Sequence, residues 1–224
     1  MIAGATGRFV QLLQEVVKAD PFVHIVGLAS LEQPLQTCVQ TGAVVIDFTA
    51  PEAAALHAKL AAENGMPMVI ATTGLGEAEL AVVHEAAHTV PIVLTPNTSV
   101  AVTVLARALR RIAPALGAGY RVAMEETHHV HKKDAPSGTA LRLRRIIAEA
   151  LHTPEETIPI EAHREGDVIG THTITFRGPS DRLTITHEAT DRRLFCEGAL
   201  RAAKGVAAKP AGLYTMENVL NGPR

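Results

Sequence analysis

The sequence predicts an α/β protein: a Rossmann-like parallel sheet domain with a second α+β domain built on a mixed sheet. Three observations carry that reading. Short β-branched runs at 44–49, 68–71 and 91–94 alternate with helical stretches across tight loops, the pattern of parallel βαβ units. Residues 168–176 and 182–188 alternate with period two around Gly178-Pro179-Ser180-Asp181, the pattern of antiparallel strands joined by a turn. Between these regions a strand at 120–125 runs into a loop dense in His and Lys, and a helix follows.

Composition narrows the class. A chain of 224 residues suits one large or two small domains. Apolar residues make up 47% of it, with no Trp and 3% aromatics, so the core must be Ala, Val, Leu and Ile. A formal net charge of −2 gives no general case for nucleic acid or an acidic membrane as partner. No apolar run is long enough to span a bilayer, and no signal-peptide pattern is present. Cys38 and Cys196 fit neither a zinc spacing nor a disulfide framework, so a reducing cytoplasm is the expected compartment.

The elements follow in order. Gly4 and Gly7 are spaced like the first turn of a dinucleotide-binding fold, and Phe9, Leu12, Leu13, Val16 and Val17 share a face of the helix behind them. Such glycines permit a tight turn, and the helix start receives a pyrophosphate. They are also ordinary turn residues; Val10 replaces the third glycine of the usual pattern, and only Met1 to Ala3 precede the turn. Residues 22–28 read as the second strand. After the strand at 44–49, Pro51 opens a helix that ends near Asn64-Gly65. The next strand ends in Thr72-Thr73-Gly74, a helix covers 77–88, and the strand at 91–94 ends in Thr95-Pro96-Asn97. Ligands of such sheets bind beyond the carboxyl ends of the strands, where Thr49, Thr72, Thr73, Asn97 and Thr98 fall. Singly, each reads as a turn residue. Together on one sheet edge they read as a nucleotide crevice.

The second region opens with a helix whose stripe is Val102, Leu105, Ala106, Leu109, Ile112, Ala113 and Leu116. Arg107, Arg110 and Arg111 form its solvated flank. His163, His172 and His187, each isolated, read as structural. An Ala-rich helix at 195–208 and a closing segment at 212–220 complete the chain.

The chemistry is densest from Glu125 to Ala140. His128, His129, His131, Lys132 and Lys133 fall within six residues and lead into Ser137-Gly138-Thr139 at a helix N-terminus. Backbone N–H groups and the helix dipole favour an anion there, and Gly138 permits close approach. Histidine exchanges protons near neutrality, and Lys132 offers a cation or a proton. The group suits a small carboxylate that is protonated during reaction. The plainer reading is a solvated basic loop with a Ser/Thr cap. His128, His129 and His131 lack the spacing and fourth ligand of a metal site, so no metal is expected.

The string His128-His129-Val130-His131-Lys132-Lys133-Asp134-Ala135-Pro136-Ser137-Gly138-Thr139-Ala140 resembles the signature of the 4-hydroxy-tetrahydrodipicolinate (dihydrodipicolinate) reductases. Ile46-Asp47-Phe48-Thr49-Ala50-Pro51-Glu52, Ala71-Thr72-Thr73-Gly74 and Asn97-Thr98-Ser99-Val100 are similar to that family's cofactor loops. Ala71 and Thr98 depart from its usual Gly and Phe. The resemblance implies reduction of 4-hydroxy-tetrahydrodipicolinate, a cyclic dicarboxylate, to tetrahydrodipicolinate with NADPH or NADH, in diaminopimelate and lysine biosynthesis. It implies His128 as acid/base and Lys132 as proton donor, with His129, Lys132, Ser137, Gly138 and Thr139 on the carboxylates. Cofactor contacts are implied at Gly4, Ala5, Thr6, Gly7, Arg8, Phe9, Ala71, Thr72, Thr73, Thr95, Pro96, Asn97 and Thr98. The place of the ribose-binding acid falls near Ser30; no carboxylate there opposes a 2′-phosphate, and no arginine follows closely to hold one. Against the family the first strand is expected to be truncated and 31–43 shortened. The expected domains are 1–98 with 207–224 for dinucleotide, and 99–206 for substrate, catalysis and assembly into a homotetramer. Two rivals stand beside this reading: another NAD(P)-dependent two-domain dehydrogenase, and a catalytically impaired nucleotide or metabolite sensor on the same scaffold.

Overall fold

The computed structural model describes the chain except Ala5, Thr6, Leu31 and 221–224, and all described side chains but that of Arg8. It forms two compact units, Met1–Val100 with Arg193–Arg224, and Ala101–Arg192.

The first unit is a wholly parallel six-stranded sheet. Its strands are β1 (Ile2–Ala3), β2 (Leu28–Ala29), β3 (Val45–Asp47), β4 (Met68–Ile70), β5 (Pro91–Leu94) and β10 (Gly212–Tyr214), in the order β10-β5-β4-β3-β1-β2. Helices α1 (Arg8–Lys18), α6 (Arg193–Val206) and α7 (Met216–Leu220) cover one face, where Leu13, Val69, Val93 and Ala199 are fully buried. Helices α2 (Pro51–Glu63) and α3 (Glu77–Ala87) cover the other, over Met66, Met68, Ile70 and Ile92. Central strands buried on both faces explain why these runs are continuously apolar.

Two expectations change here. The strand expected at 22–28 shrinks to Leu28–Ala29, because its only strand neighbour, β1, is itself two residues long. Val23 and Ile25 pack against the core without joining the ladder. The domain boundary expected at 206–207 falls at Arg193. The apolar stripe of α6, with Cys196, Ala199, Leu200, Ala203 and Val206, lies on α1 and the parallel sheet, and so the helix joins the first unit.

The second unit is a mixed sheet of order β7-β6-β8-β9, from β6 (Arg121–His128), β7 (Ile160–Arg164), β8 (Thr171–Arg177) and β9 (Arg182–Glu188). Helices α4 (Val100–Leu116) and α5 (Gly138–Leu151) cover one face, burying Leu109, Leu143 and Ile147 against Met124, Ile174 and Phe176. The antiparallel pattern expected at 168–176 and 182–188 is that of β8 and β9, while β7 pairs parallel with β6 and makes the sheet mixed. Strand β6 also runs three residues further than its expected end, so His128 stands on the end of a strand and not on the loop.

Candidate active site

In the second unit the site is built outward from β6. Val122, Met124, Glu126 and His128 occupy successive inward positions of the strand, and all four are buried. Two ionisable groups therefore stand where apolar residues would, and each is held. Glu126 Oε2 lies 2.5 Å from His128 Nδ1. Glu126 Oε1 accepts from Arg164 Nη1 and Nη2, each at 3.1 Å, and from the Ser137 backbone N–H at 3.1 Å. Arg164 comes from β7, in register with His128, and its other donors reach the carbonyls of Lys132, His163 and Asp134. Burial alone would raise the Glu126 carboxyl, but Ser137, His128 and Arg164 outweigh it and hold the group below its usual value. An ionised carboxylate only accepts, so a proton on Nδ1 of His128 would suit it and would leave Nε2 as the atom to exchange one. Burial, first, and the charges of Lys132 and Arg164 lower His128, against the opposing pull of Glu126.

His172, paired with Glu126 across β6 and β8, closes the cluster. Its ring meets that of His128 edge-on at 5.2 Å, and its Nε2 lies 3.3 Å from Ser137 Oγ. Burial pushes it down to about 4, so it is neutral near pH 7. Glu126, His128 and His172 are the described side chains whose ligand atoms come within 4.8 Å of one another, a different set from the loop histidines weighed above. Tetrahedral zinc ligands at about 2.0–2.1 Å from the ion stand roughly 3.3 Å apart. The 2.5 Å contact between Glu126 Oε2 and His128 Nδ1 is shorter than that and is a direct carboxylate–imidazole pair.

The loop beyond His128 places the other expected residues. Lys132 Nζ pairs with Asp134 Oδ1 at 2.8 Å. Burial raises the Asp134 carboxyl, but Lys132 and the Gly138 N–H outweigh it and hold it low. An internal carboxylate thus occupies the cation and helix start foreseen for a substrate. His129 is half-buried with its ring 6.2 Å from that of His131. Gly138 is exposed and Thr139 half-buried at the start of α5. Ser137 departs from expectation: it is buried, its Oγ accepts from Ala140 N at 3.2 Å, and it faces His172. Its hydroxyl caps the helix and belongs to the histidine cluster.

In the first unit the residues expected to meet a cofactor divide. Gly4 has φ +101°, and a Cβ there would stand 3.0 Å from the Phe48 carbonyl, so glycine is required. Gly7 caps α1 with no side chain, and no acid occupies the first turn, which leaves the positive end of the helix to an anion. Ala5, Thr6 and the Arg8 side chain lie outside the described residues. The ring of Phe9 stacks on Phe48 at 5.9 Å and meets Phe195 edge-on. Ala71 is half-buried, while Thr73 and Pro96 are exposed at the strand ends. Thr95 is buried and donates to the Asn97 carbonyl, and Asn97 Oδ1 accepts from Ser99 N, so both side chains build the turn. Thr98 is buried with its hydroxyl donating to the Phe195 carbonyl, which takes that hydroxyl away from any cofactor.

Thr72 is tied to an acid that the sequence shows only as one member of the run at 46–52. Asp47, fully buried, accepts at Oδ1 from Thr49 N, Thr49 Oγ1 and Thr72 Oγ1 at 2.7–2.9 Å, and its Oδ2 lies 2.6 Å from His57 Nδ1. One carboxylate therefore holds together two of the loops at the sheet edge. Asp47→Asn keeps the size and removes the charge that favours these bonds. We expect it to cost about 1–2 kcal/mol, read as a lower urea midpoint for the first unit. An unchanged midpoint would show that the carboxylate is not needed there. An apolar cavity of this unit, about 360 Å³ beside Met1, Phe22 and Val44, lies at the amino ends of the strands, whereas ligands of such sheets bind beyond their carboxyl ends.

Comparison with known proteins places this geometry. Residues 1–98 match the family profile described as dihydrodipicolinate reductase, N-terminus, and residues 101–220 the one described as dihydrodipicolinate reductase, C-terminus. The 4-hydroxy-tetrahydrodipicolinate reductase of Anaeromyxobacter dehalogenans (strain 2CP-1) is 39% identical over 260 aligned positions, covering 98% of this chain and 96% of its own. That of Halorhodospira halophila is 38% identical over 98% of this chain and 97% of its own. Alignments longer than this chain mean that internal segments of both relatives have no counterpart here. Among solved structures, the dipicolinate-bound dihydrodipicolinate reductase of Paenisporosarcina sp. TG-14 superposes with a TM-score of 0.77 at 23% identity, over 96% of each chain. A C. glutamicum DAP dehydrogenase shares the fold with a TM-score of 0.58 at 12% identity, over 100% of this chain and 95% of its own. Profiles that span both units, with full-length relatives far above the level at which only fold is shared, show that the chain belongs to the dihydrodipicolinate reductase family.

Proposed function

We propose that this chain reduces 4-hydroxy-tetrahydrodipicolinate to tetrahydrodipicolinate, a step of diaminopimelate and lysine biosynthesis. One observation carries the reading beyond family membership: the buried Glu126–His128 pair stands beside the Lys132 and Gly138-Thr139 helix start. A proton-exchanging group and an anion site are what a carboxylate substrate protonated during reaction needs. A binding-only descendant has no use for the first of them.

A reduced nicotinamide, when bound, supplies hydride to the ring carbon exposed as the 4-hydroxyl leaves as water. The enamine that results takes a proton. His128 exchanges that proton at Nε2, and Lys132 serves as its donor to substrate. His129, Lys132, Gly138 and Thr139 hold the carboxylates, one of which takes over the partners that Asp134 now keeps. Gly4, Gly7 and the edge at Ala71 to Thr73 and Thr95 to Asn97 receive the nucleotide. Either NADPH or NADH serves. At Ser30 there is no acid to repel a 2′-phosphate, and its hydroxyl accepts from Glu32 N and Gln33 N. The protein is cytoplasmic, in keeping with two free cysteines and with no described helix long and apolar enough to cross a membrane. It assembles as a homotetramer through the outward face of the mixed sheet, where Arg121, Ala123 and Glu125 are exposed.

The test is oxidation of NADPH and of NADH by freshly made 4-hydroxy-tetrahydrodipicolinate, with sedimentation for the tetramer. No turnover with either nucleotide would overturn the reading. The carboxylate site has its own test in pyridine-2,6-dicarboxylate, a flat mimic of the substrate ring. Thr139→Val should weaken its binding by about 1.5–3 kcal/mol, as for a lost hydrogen bond to a charged group. Ser137→Ala should instead cost about 1 kcal/mol of stability through the lost cap. Calorimetric titration that finds wild-type affinity in Thr139→Val would misplace the anion site.

A further inference from the structure

Gly170 is a glycine for which the backbone supplies no reason. It is not among the positive-φ glycines, so its conformation suits any residue. It stands just before β8, and its carbonyl accepts from Ala189 N at 2.9 Å, which pins it. A Cβ built on Gly170 would lie 2.9 Å from Nε2 of His128 and 3.2 Å from its Cδ2. The space a methyl would fill is therefore the space directly beside one ring nitrogen. On the opposite edge of the same ring, Nδ1 meets Glu126 Oε2 at 2.5 Å, and Arg164 and Ser137 N hold the other carboxylate oxygen. The ring of His172 stands edge-on to the His128 ring at 5.2 Å. His128 is thus gripped at one nitrogen, flanked, and left a clearance at the other.

We infer that Glu126 and Gly170 are positioning residues for the proton-transfer step: Glu126 fixes His128 as the Nδ1–H tautomer, and Gly170 keeps open the space through which Nε2 is reached. The inference rests on the acid/base role proposed for His128. Glu126 does the first part because an ionised carboxylate accepts and cannot donate. Gly170 does the second because any side chain would abut the nitrogen that must meet the ring or a water bridging to it. The charged and titratable groups facing His128 are Glu126 on its own strand, Lys132 on the following loop, Arg164 on β7 and His172 on β8. Of these only Glu126 offers an acceptor to Nδ1.

The experiment uses the full chain labelled with ¹⁵N-histidine, His128→Gln giving the assignment. In the wild type the ¹⁵N shifts of His128 should report the Nδ1–H tautomer. Glu126→Gln can donate as well as accept. It should lose that signature and turn over roughly ten- to a hundredfold more slowly, with NADPH affinity within about twofold. Gly170→Ala adds no charge and removes none. It should keep the Nδ1–H signature and an ordinary melting curve, yet turn over at least about tenfold more slowly. A merely structural role would lower the melting temperature without moving the tautomer. Wild-type His128 found as the Nε2–H form, or full turnover in Gly170→Ala, overturns the inference. Should Glu126→Gln fail to fold, the wild-type spectrum and Gly170→Ala still decide. The underlying reading fails separately: full turnover in His128→Gln removes His128 from the chemistry whatever the spectra show.

Discussion

His128→Gln is expected to lower turnover by about two to four orders of magnitude, the range for losing a general acid or base. Cofactor affinity should stay nearly constant, because Gly4 and Gly7, the glycines proposed to receive the nucleotide, belong to the other compact unit. Glutamine keeps a donor near Glu126, so the buried carboxylate retains a partner and the variant should fold. That separates chemistry from stability, which an alanine would confuse by leaving Glu126 Oε2 bare in the core at a cost of about 1–3 kcal/mol. The measurement is steady-state turnover with NADPH beside a direct titration of NADPH binding. Turnover within about threefold of wild type would take His128 out of the mechanism. A matched fall in turnover and nucleotide affinity would instead mean a damaged fold.

Part of this site could be read from the sequence, and the dividing line is physical. The period-two pattern of β6 continues past Met124, so that Glu126 and His128 take the buried positions that Val122 and Met124 began. Extending the alternation by three residues would have put both ionisable groups on the core face and flagged them as a pair. The histidine loop, its helix start and the parallel runs were legible because each is a local pattern. Arg164, His172 and Gly170 were not, for the opposite reason. They reach His128 through strand registers, His128 beside Arg164 and Glu126 beside His172, that join residues 36 and 46 positions apart. No local periodicity records such a pairing. Asp47 and His57 show the intermediate case. They are ten residues apart across the β3–α2 turn, but a lone acid at a strand end and a lone histidine in a helix look ordinary until packed together. The hydroxyls of Ser137, Thr95 and Thr98 bond within their own cap, turn or neighbouring helix, and sequence alone does not say on which side of a cap or turn a hydroxyl lies.

The helix boundary at 193 leads to the second large effect. Gly198 lies in α6, where an alanine would ordinarily be favoured over glycine by about 1 kcal/mol. Its packing reverses that preference. A Cβ on Gly198 would stand 1.8 Å from the Thr98 carbonyl oxygen and 2.8 Å from its carbon, and both are backbone atoms. Thr98 cannot yield easily, because its hydroxyl is tied to the Phe195 carbonyl at 2.7 Å on the same helix. Nor can α6 slide, since Cys196, Ala199, Ala202 and Ala203 bury its other contacts in the core. Gly198→Ala must therefore lift the helix from the sheet or break the turn at 95–98. We expect it to destabilise the first unit by roughly 3 kcal/mol or more, the upper range for overpacking a fixed core. Calorimetry should show the melting of that unit lowered by several degrees. NADPH binding should weaken with it if the Thr95 to Asn97 edge receives the nucleotide as proposed, because Thr98 adjoins that edge. An exposed control in the same helix, Arg201→Ala, should change neither. If Gly198→Ala melts with the wild type, α6 does not press on residue 98, and the close approach of the helix to that turn is not what fixes glycine there.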